Sequence, residues 1–250
     1  GETQRFRTHV AYLANDELEG RGVGSKGIDQ AADYIAAEFK GLGLEPAGDN
    51  GTYFQSFPMT LSPTLTDTGK LAFSGDTPRK QGVDFIPYNF SSDDAFRGGI
   101  VFCGYGIVNP DKQWDDFKDI DLTGSAALMF TDEPPSWADE NGNPTPNAML
   151  RNKIYNAKDR GAIAVLIVNT APHEGATDHL PEFFAEGADA YGLPVLNVSR
   201  ATVEGRVAAG GLGTLDALQK KLDDGEYASS VLAHMEVSGQ AGLTRAKTTA

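Results

Sequence analysis

Apolar residues near the start of the chain recur at the spacing of an amphipathic helix. The apolar face comprises Ile28, Ala31, Ala32, Ile35, Phe39 and Leu42. Ser25 stands at the expected N-cap position, and Gly41 or Gly43 marks the end of this helix. A shorter helical segment covers residues 9–15. Residues 53–61 predict a strand, and Pro58 indicates an edge strand because proline cannot donate to a sheet ladder.

From about residue 99 the pattern changes to short β-branched runs that alternate with helical segments. The predicted strands cover residues 99–108, 126–130, 163–168, 193–198 and 230–237. A helix is predicted before the third of these strands, and Ser199 and Thr214 stand where two further helices would begin. This alternation predicts a mixed α/β fold with at least one parallel pair of strands.

The composition permits a sizeable core and argues against some partners. With 250 residues, of which 40% are hydrophobic, the chain is long enough for one large domain or two modest ones. A net charge of −14 argues against nucleic acid and against anionic membrane surfaces, since both attract Lys and Arg. We interpret the acidity as a source of solubility rather than as a metal site. The longest apolar run, residues 162–168, is too short to span a bilayer.

The sequence offers no evident catalytic or metal-binding group. Its four histidines are His9, His173, His179 and His234. None of them opens a His-x-Asp pair or a His-Glu-x-x-His helix, the usual routes to a zinc-activated water. The single cysteine, Cys103, lies in an apolar run and is predicted to be a buried apolar residue rather than a nucleophile. We therefore expect no catalytic residue, no metal ligand and no cofactor in this chain.

Two dense groups of acidic residues each allow a structural and a functional interpretation. Residues 16–22 contain three carboxylates and Arg21, and a solvated turn is favoured over an acid–base pair. The aspartates of residues 115–121 lack the spacing of a calcium-binding loop. Helix capping or solvation is favoured there.

Two predicted loops are long for a compact domain. They cover residues 132–147 and 169–190, and loops of this length are often functional. Their large apolar and titratable residues are the candidate contact residues for a substrate or partner: Trp137, Phe183, Phe184, His173 and His179. The alternatives are that the aromatic side chains pack onto the domain and that the histidines lie on the surface without fixed partners.

A first group of motifs runs in register over about forty residues. It comprises residues 13–22, Gly24-Ser25, residues 31–35, Phe39, Gly43-Leu44-Glu45-Pro46 and Tyr53-Phe54-Gln55. This group resembles the start of the peptidase domain in exported zinc exopeptidases related to bacterial leucyl aminopeptidase, aminopeptidase Y and glutamate carboxypeptidase. In that family two zinc ions activate a water and a separate Glu acts as general base. The family's metal ligands lie beyond the matched motifs, so no residue of this chain takes those roles.

A second group of motifs follows farther along the chain. It comprises Gly104-Tyr105-Gly106-Ile107, residues 114–117, residues 121–124, Lys153 with Ala157, Gly161-Ala162 and Leu193-Pro194-Val195. This group is similar to the protease-associated (PA) domain that is often inserted in those exopeptidases. Ser125-Ala126 departs from the family, which commonly has a Lys and a β-branched residue after the glycine.

Together the resemblances imply a fold and a domain organisation. They imply a PA-type β-sheet or barrel with flanking helices, inserted into a truncated α/β peptidase domain. Residues 1–75 would begin the peptidase domain, residues 76–212 would form the PA domain, and residues 213–250 would return to the peptidase domain. The strands at residues 53–61 and 230–237 would pair as a hairpin of the peptidase domain.

The resemblances also imply a function. The chain would be the non-catalytic PA portion of an exported zinc-dependent aminopeptidase, and it would shape substrate access or contact a peptide or protein. Two zinc ions are expected only in the full-length parent, whose remaining peptidase domain would be a partner. Two alternatives remain open: a metallopeptidase by parentage, and a free-standing domain that binds peptides or glycans.

Overall fold

The computed structural model describes residues 1–171, 178–185, 187 and 190–249, and it divides into two compact units. The first unit comprises residues 1–62 together with the residues from Arg245 onward. The second comprises residues 63–244. The chain therefore leaves the first unit after Ser62 and returns to it at Arg245.

The first unit contains two helices, α1 (Glu2–Leu13) and α2 (Lys26–Gly41). As predicted, α2 begins after Ser25, whose side-chain oxygen accepts the backbone N–H of Ile28 at 3.3 Å. Strand β1 (Pro58–Thr60) pairs antiparallel with the last strand of the chain, β13 (Lys247–Thr249). The predicted apolar face of α2 is largely exposed: Ile35 is 40% exposed and Leu42 58%.

A seven-stranded sheet forms the centre of the second unit. Its strands, in spatial order, are β3 (Lys70–Phe73), β11 (Ser230–Gln240), β5 (Phe96–Phe102), β8 (Ser125–Phe130), β9 (Ala164–Val168), β10 (Val195–Val198) and β4 (Phe85–Pro87). The four strands β5, β8, β9 and β10 run parallel, and the outer pairs are antiparallel. The predicted parallel pairing is confirmed.

The two edges of this sheet are linked by the segment between them. Leu71 of β3 forms a bridge with Arg79, and Gln81 forms a bridge with Phe85 of β4. The backbone N–H of Arg79 donates to the Leu71 carbonyl, and that of Gly82 donates to the Phe85 carbonyl. The sheet is therefore nearly closed and barrel-like, which confirms the predicted mixed α/β class with a PA-type sheet.

Short strands and three helices complete the second unit. Strand β2 (Thr64–Leu65) pairs with β12 (Leu243–Thr244), and β6 (Val108–Asn109) pairs with β7 (Trp114–Asp115). The helices are α3 (Leu150–Lys158), α4 (Arg200–Ala209) and α5 (Leu215–Asp223). Ser199 and Thr214 cap α4 and α5 through their side-chain oxygens, as the sequence predicts.

The central strands are buried on both faces. Leu128 and Phe130 of β8 belong to the core cluster that also contains the apolar residues of α4 and α5. Ala127 and Met129, which alternate with them, belong to the cluster that contains those of α3. Because successive side chains of a strand point to opposite faces, two-sided burial requires a continuous apolar run. Cys103 is fully buried in the second cluster, as predicted.

The predicted hairpin between residues 53–61 and 230–237 is wrong. Strand β1 pairs with β13, while β11 pairs with β3 and β5 inside the seven-stranded sheet. The reason is burial: Leu232 and Val237 of β11 are about 1% exposed in the main core of the second unit. The compact second unit comprises residues 63–244, whereas the predicted PA domain comprises residues 76–212, and those domain boundaries stay a prediction.

Strand β5 provides a matched test of the packing. A Cβ on Gly98 would overlap the backbone oxygen of Gly124 and meet Ile163 Cδ1 at 2.7 Å, whereas one on Gly99 would meet only Ser125, at 3.2 Å. We expect Gly98→Ala to lower the free energy of unfolding of the second unit by about 1–3 kcal/mol, the usual cost of overpacking, and Gly99→Ala to lower it less. Denaturation followed by the fluorescence of Trp114 and Trp137 measures both. Equal losses would contradict the close approach at Gly98.

Candidate functional site

A cleft of about 390 Å³ opens where three parallel strands end. Tyr105 follows β5, residues 132–144 follow β8, and Thr170 and Ala171 follow β9. Gln219 of α5 contributes the remaining side. The mouth of a barrel-like sheet is a common place for a ligand pocket. The cleft thus lies between the beginnings of both long loops.

Two glycines allow Tyr105 to reach the cleft. Gly104 and Gly106 have φ angles of 53° and 71°, in the left-handed region that favours glycine. A Cβ on Gly104 would lie 2.5 Å from Asp116 Oδ1, and one on Gly106 would lie 2.5 Å from Met129 Sδ. The Tyr105 hydroxyl donates a hydrogen bond to Asp223 Oδ1 at 2.6 Å. Burial, and then this bond, raise the pKa of Tyr105 well above its usual value, so the hydroxyl remains a donor.

Asp116 holds the backbone beneath the cleft. It is fully buried, and its Oδ2 accepts the backbone N–H groups of Tyr105 at 3.1 Å and Ile107 at 2.9 Å. Burial raises the pKa of Asp116 to about 6, although these hydrogen bonds and the charge of Lys153 act in the opposite direction. The carboxyl therefore fixes the Gly-Tyr-Gly turn at a cost in desolvation.

Lys153 fixes the end of β8. This side chain of α3 is fully buried, and its Nζ donates to the backbone oxygens of Phe130 and Asp132. The ammonium also lies 5.5 Å from the centre of the Tyr105 ring. Burial lowers the pKa of Lys153 to about 8, and the carboxylates of Asp132, Asp116 and Glu133 limit the fall. Lys153 thereby sets the direction in which the chain leaves the sheet.

Asp132 stands at the cleft in an unusual backbone conformation. Its φ of 57° lies in the left-handed region, which aspartate tolerates better than most residues. Its Oδ2 accepts hydrogen bonds from the hydroxyls of Thr131, at 2.9 Å, and Thr170, at 2.6 Å. The carboxylate thus joins the two long loops at the place where they leave β8 and β9.

The loop after β8 is ordered by its own side chains. Glu133 is 6% exposed, and its carboxylate accepts both the backbone N–H and the hydroxyl of Thr145, each at 2.5 Å. Within the loop, Asp139 accepts the backbone N–H groups of Asn141 and Asn143. The loop therefore forms a closed structure whose apolar inner residues, including Pro134 and Ala138, line the cleft.

The predicted contact residues lie in different environments. Trp137 is partly buried, and its ring meets that of Trp114 edge to face at 5.3 Å. Phe183 is also partly buried against the main core, whereas Phe184 is 63% exposed. His179 is exposed and accepts a bond from Asn169 through its backbone oxygen, and His173 lies outside the described residues. None of these side chains lines the described part of the cleft, and their role in contacts stays a prediction.

Most residues of the cleft carry no signal that a single-residue pattern in the sequence would reveal. Tyr105 belonged to a recognised motif, but Asp132, Glu133, Thr170 and Gln219 received no role. A signal was available: two predicted parallel strands, each followed by a long loop, must place the starts of those loops at one edge of the sheet. Only the folded structure shows that Tyr105 and Gln219 also line the cleft, because they come from distant segments of the chain.

The residues that the structure describes do not assemble into a site for a zinc pair. In the part of the chain that the structure describes, no group of three or more His, Cys, Asp and Glu side chains could hold a metal ion. Cys103 is fully buried, and burial raises the pKa of its thiol far above the usual value. Among the described helices, none has the length and hydropathy that crossing a membrane requires.

The first unit contains a second cavity, of about 440 Å³, lined by residues of α1 and α2 such as Tyr12, Asp33 and Tyr34. Its two tyrosine rings stack at 4.0 Å. None of the residues of α1 is buried, however, so packing within the unit does not fix that wall. The cleft of the second unit, whose walls are held by buried groups, is the better candidate site.

Comparison with protein families decides the identity of the second unit. The family model of the PA domain matches residues 68–205, more than half of the chain. The chain belongs to the PA domain family. All the lining residues of the cleft except Gln219 fall within the matched PA domain.

Solved structures similar to this PA domain chain include two bacterial aminopeptidases. The aminopeptidase from Aneurinibacillus sp. strain AM-1 is 17% identical, with a TM-score of 0.46 over 97% of this chain and 48% of that one. BSAP, a zinc aminopeptidase from Bacillus subtilis, is 15% identical, with a TM-score of 0.40 over 96% of this chain and 44% of that one. This chain thus spans about half the length of these aminopeptidases. No curated protein matches it.

The buried carboxyl beneath the cleft predicts a pH dependence of stability. The pKa of Asp116 rises from 3.8 to about 6 on folding, so the folded state binds the proton more tightly than the unfolded state. The contribution of Asp116 to the free energy of unfolding is therefore fully present below about pH 4 and is lost as the pH rises through 6. The loss amounts to about 3 kcal/mol. We expect Asp116→Asn to remove this decrease of the free energy of unfolding with rising pH. Denaturation at several values between about pH 4 and pH 7 measures the slope of the free energy of unfolding against pH. An Asp139→Asn control, which alters an exposed carboxylate, should keep the slope, and the same slope in both variants would contradict the assignment.

Proposed function

We propose that this chain is the non-catalytic PA portion of an exported, zinc-dependent exopeptidase and that its cleft binds an extended peptide segment. The observation that carries the proposal is the cleft itself. It lies at the carboxyl ends of parallel strands, and buried side chains fix its walls. Through such contacts the PA domain would influence which peptides reach the catalytic part of the parent.

The dimensions and lining of the cleft favour a peptide. Its volume of about 390 Å³ is sufficient for one or two side chains and too small for a folded partner. Prolines and alanines supply an apolar surface, while Asp132, Thr170 and Gln219 supply polar atoms. Apolar walls with a few fixed polar groups are typical of sites that bind and orient a small segment.

The parentage rests on the motifs of residues 13–55 and on the surface of the first unit. These motifs resemble the opening of a zinc exopeptidase domain. In addition, Ile35, Phe39 and Leu42 of α2 are each at least 40% exposed on one helix face. Such an apolar face suits a protein contact, and the remaining peptidase domain is the partner we propose for it. The zinc ions and export to the periplasm or medium belong to the proposed parent.

A substitution that fills the cleft tests peptide binding. Ala138 lines the cleft, whereas Ser136, two residues earlier in the short 3₁₀ turn Pro135–Trp137, is exposed and does not line it. We expect Ala138→Trp to weaken binding of labelled decapeptides by about tenfold or more and Ser136→Trp to leave it unchanged. Fluorescence anisotropy with cationic, neutral and anionic peptides measures the dissociation constants. If no peptide binds at about 1 mM, the proposed function fails.

We also expect the chain alone to hydrolyse no aminoacyl chromogenic substrate, with or without added zinc. The physical reason is that peptide hydrolysis needs an activated nucleophile. The described residues hold no candidate metal cluster, and the only cysteine is fully buried. Release of p-nitroaniline from the purified chain provides the measurement. Turnover that survives repurification and disappears in His173→Ala or His179→Ala would contradict the non-catalytic role.

A further inference from the structure

The acidic residues around the cleft are not equivalent, because some have basic partners. Lys220 pairs with Asp224 at 2.6 Å, and Arg200 pairs with Asp216 at 2.5 Å. Both pairs lie beside Gln219, where a neighbouring pocket adjoins the cleft. These two carboxylates are therefore already paired, Asp224 with an exposed lysine and Asp216 with the largely buried Arg200.

Asp132, Glu133 and Asp223 have hydrogen-bond donors as partners, and the buried cation Lys153 acts on Asp132 and Glu133. Glu133 is held by Thr145, Asp132 accepts two threonine hydroxyls, and Asp223 accepts the Tyr105 hydroxyl. The ammonium of Lys153 lies beneath them and is shared among the backbone oxygens at the end of β8. Asp132 and Glu133 line the cleft, Asp223 lines the adjoining pocket, and the single charge of Lys153 acts on the first two. The cleft and the adjoining pocket are therefore negatively charged on balance.

Asp132 and Asp223 are fixed by hydrogen bonds that leave acceptor capacity unused. The bonds to Asp132 reach Oδ2, and the Tyr105 bond reaches Asp223 Oδ1. A carboxylate has about four acceptor positions on its two oxygens. Each group therefore has capacity to accept a charged donor without first breaking the bonds that hold it.

The apolar wall complements these carboxylates. Pro134, Pro135, Ala138 and Ala171 line the cleft beside Asp132. A side chain with a long apolar stem and a cationic end would cover the prolines with its methylene groups and direct its charge to the rim. Lys and Arg have this form, since their stems pack on apolar surface while the charged end remains near water or a partner.

We propose that the cleft of the PA domain selects peptides by a Lys or Arg side chain. The charge partners are Asp132, which lines the cleft, and Asp223, which lines the pocket that adjoins it at Gln219. The inference rests on the proposed peptide-binding function and names its substrate class. Anionic segments are disfavoured, because a further carboxylate would enter a site that is already negative. Asp132 would take the leading part, since it lines the cleft and is held in place by threonines from both loops.

Three peptides of one length, with Lys, norleucine or Glu at the central position, test the inference on the complete chain. Fluorescence anisotropy gives the affinity of each. We expect the Lys peptide to bind about tenfold more tightly than the norleucine peptide at low ionic strength, and the Glu peptide to bind least tightly. The difference in affinity between the Lys and norleucine peptides should shrink with added salt, because salt screens the attraction between the ammonium group and the carboxylates.

Variants then assign the charge partners. Asp132→Asn retains an acceptor for the threonine hydroxyls and tolerates the left-handed backbone, and Asp223→Asn retains an acceptor for Tyr105. Each should reduce the ratio of Lys to norleucine affinity by about threefold or more. Glu140→Gln, at an exposed position in the same loop, is the charge-matched control and should leave the ratio unchanged. Circular dichroism checks that each variant is folded.

The outcomes separate this inference from the proposed function. Equal affinity for the Lys and norleucine peptides would overturn the selection for cations and leave peptide binding intact. A ratio that survives in both Asp132→Asn and Asp223→Asn would overturn the assignment of the partners. Failure of all three peptides to bind at about 1 mM would overturn the proposed function as well.

Discussion

The cleft depends on how the buried ammonium of Lys153 is satisfied. A charged side chain without exposed surface is costly unless its donors find partners, and here the partners are the backbone oxygens of Phe130 and Asp132. These oxygens belong to the end of β8 and to the first turn after it. The need to satisfy Lys153 therefore fixes where the loop begins, and with it the left-handed conformation of Asp132.

Asp116 has the corresponding role on the strand next to β8. Its carboxylate accepts two backbone N–H groups of the turn after β5, and Gly104 leaves room for it because a Cβ there would lie 2.5 Å from Asp116 Oδ1. A buried anion and a buried cation thus hold two adjacent strand ends at fixed positions. Burial of each charge costs stability, as the raised pKa of Asp116 and the lowered pKa of Lys153 indicate. In exchange for this loss of stability, the two groups hold the strand ends that form the walls of the cleft.

Two-sided burial of the central strands explains why the polar groups gather at one edge. Residues within β8 and β9 are nearly inaccessible, so these strands offer no surface for chemistry. A side chain reaches solvent only where a strand ends and its loop begins. Because β5, β8 and β9 are parallel, three such ends meet, and Tyr105, Asp132 and Thr170 come together although they are far apart in sequence.

The amino-acid sequence by itself determined the order of the five inner strands and the helices of the second unit, the caps Ser25, Ser199 and Thr214, and the PA family, because apolar periodicity and turn residues are local signals. It also located the two long loops. The short edge strands β3 and β4 carry too few residues for such a pattern and were not predicted. Tertiary structure decided the partner of β11, since pairing depends on which apolar face a distant core accepts, and the hairpin predicted from order alone was wrong. The tertiary structure also decided the roles of Asp116, Lys153 and Asp132. Each of these depends on burial and on hydrogen bonds to segments distant along the chain, and no local pattern encodes those contacts.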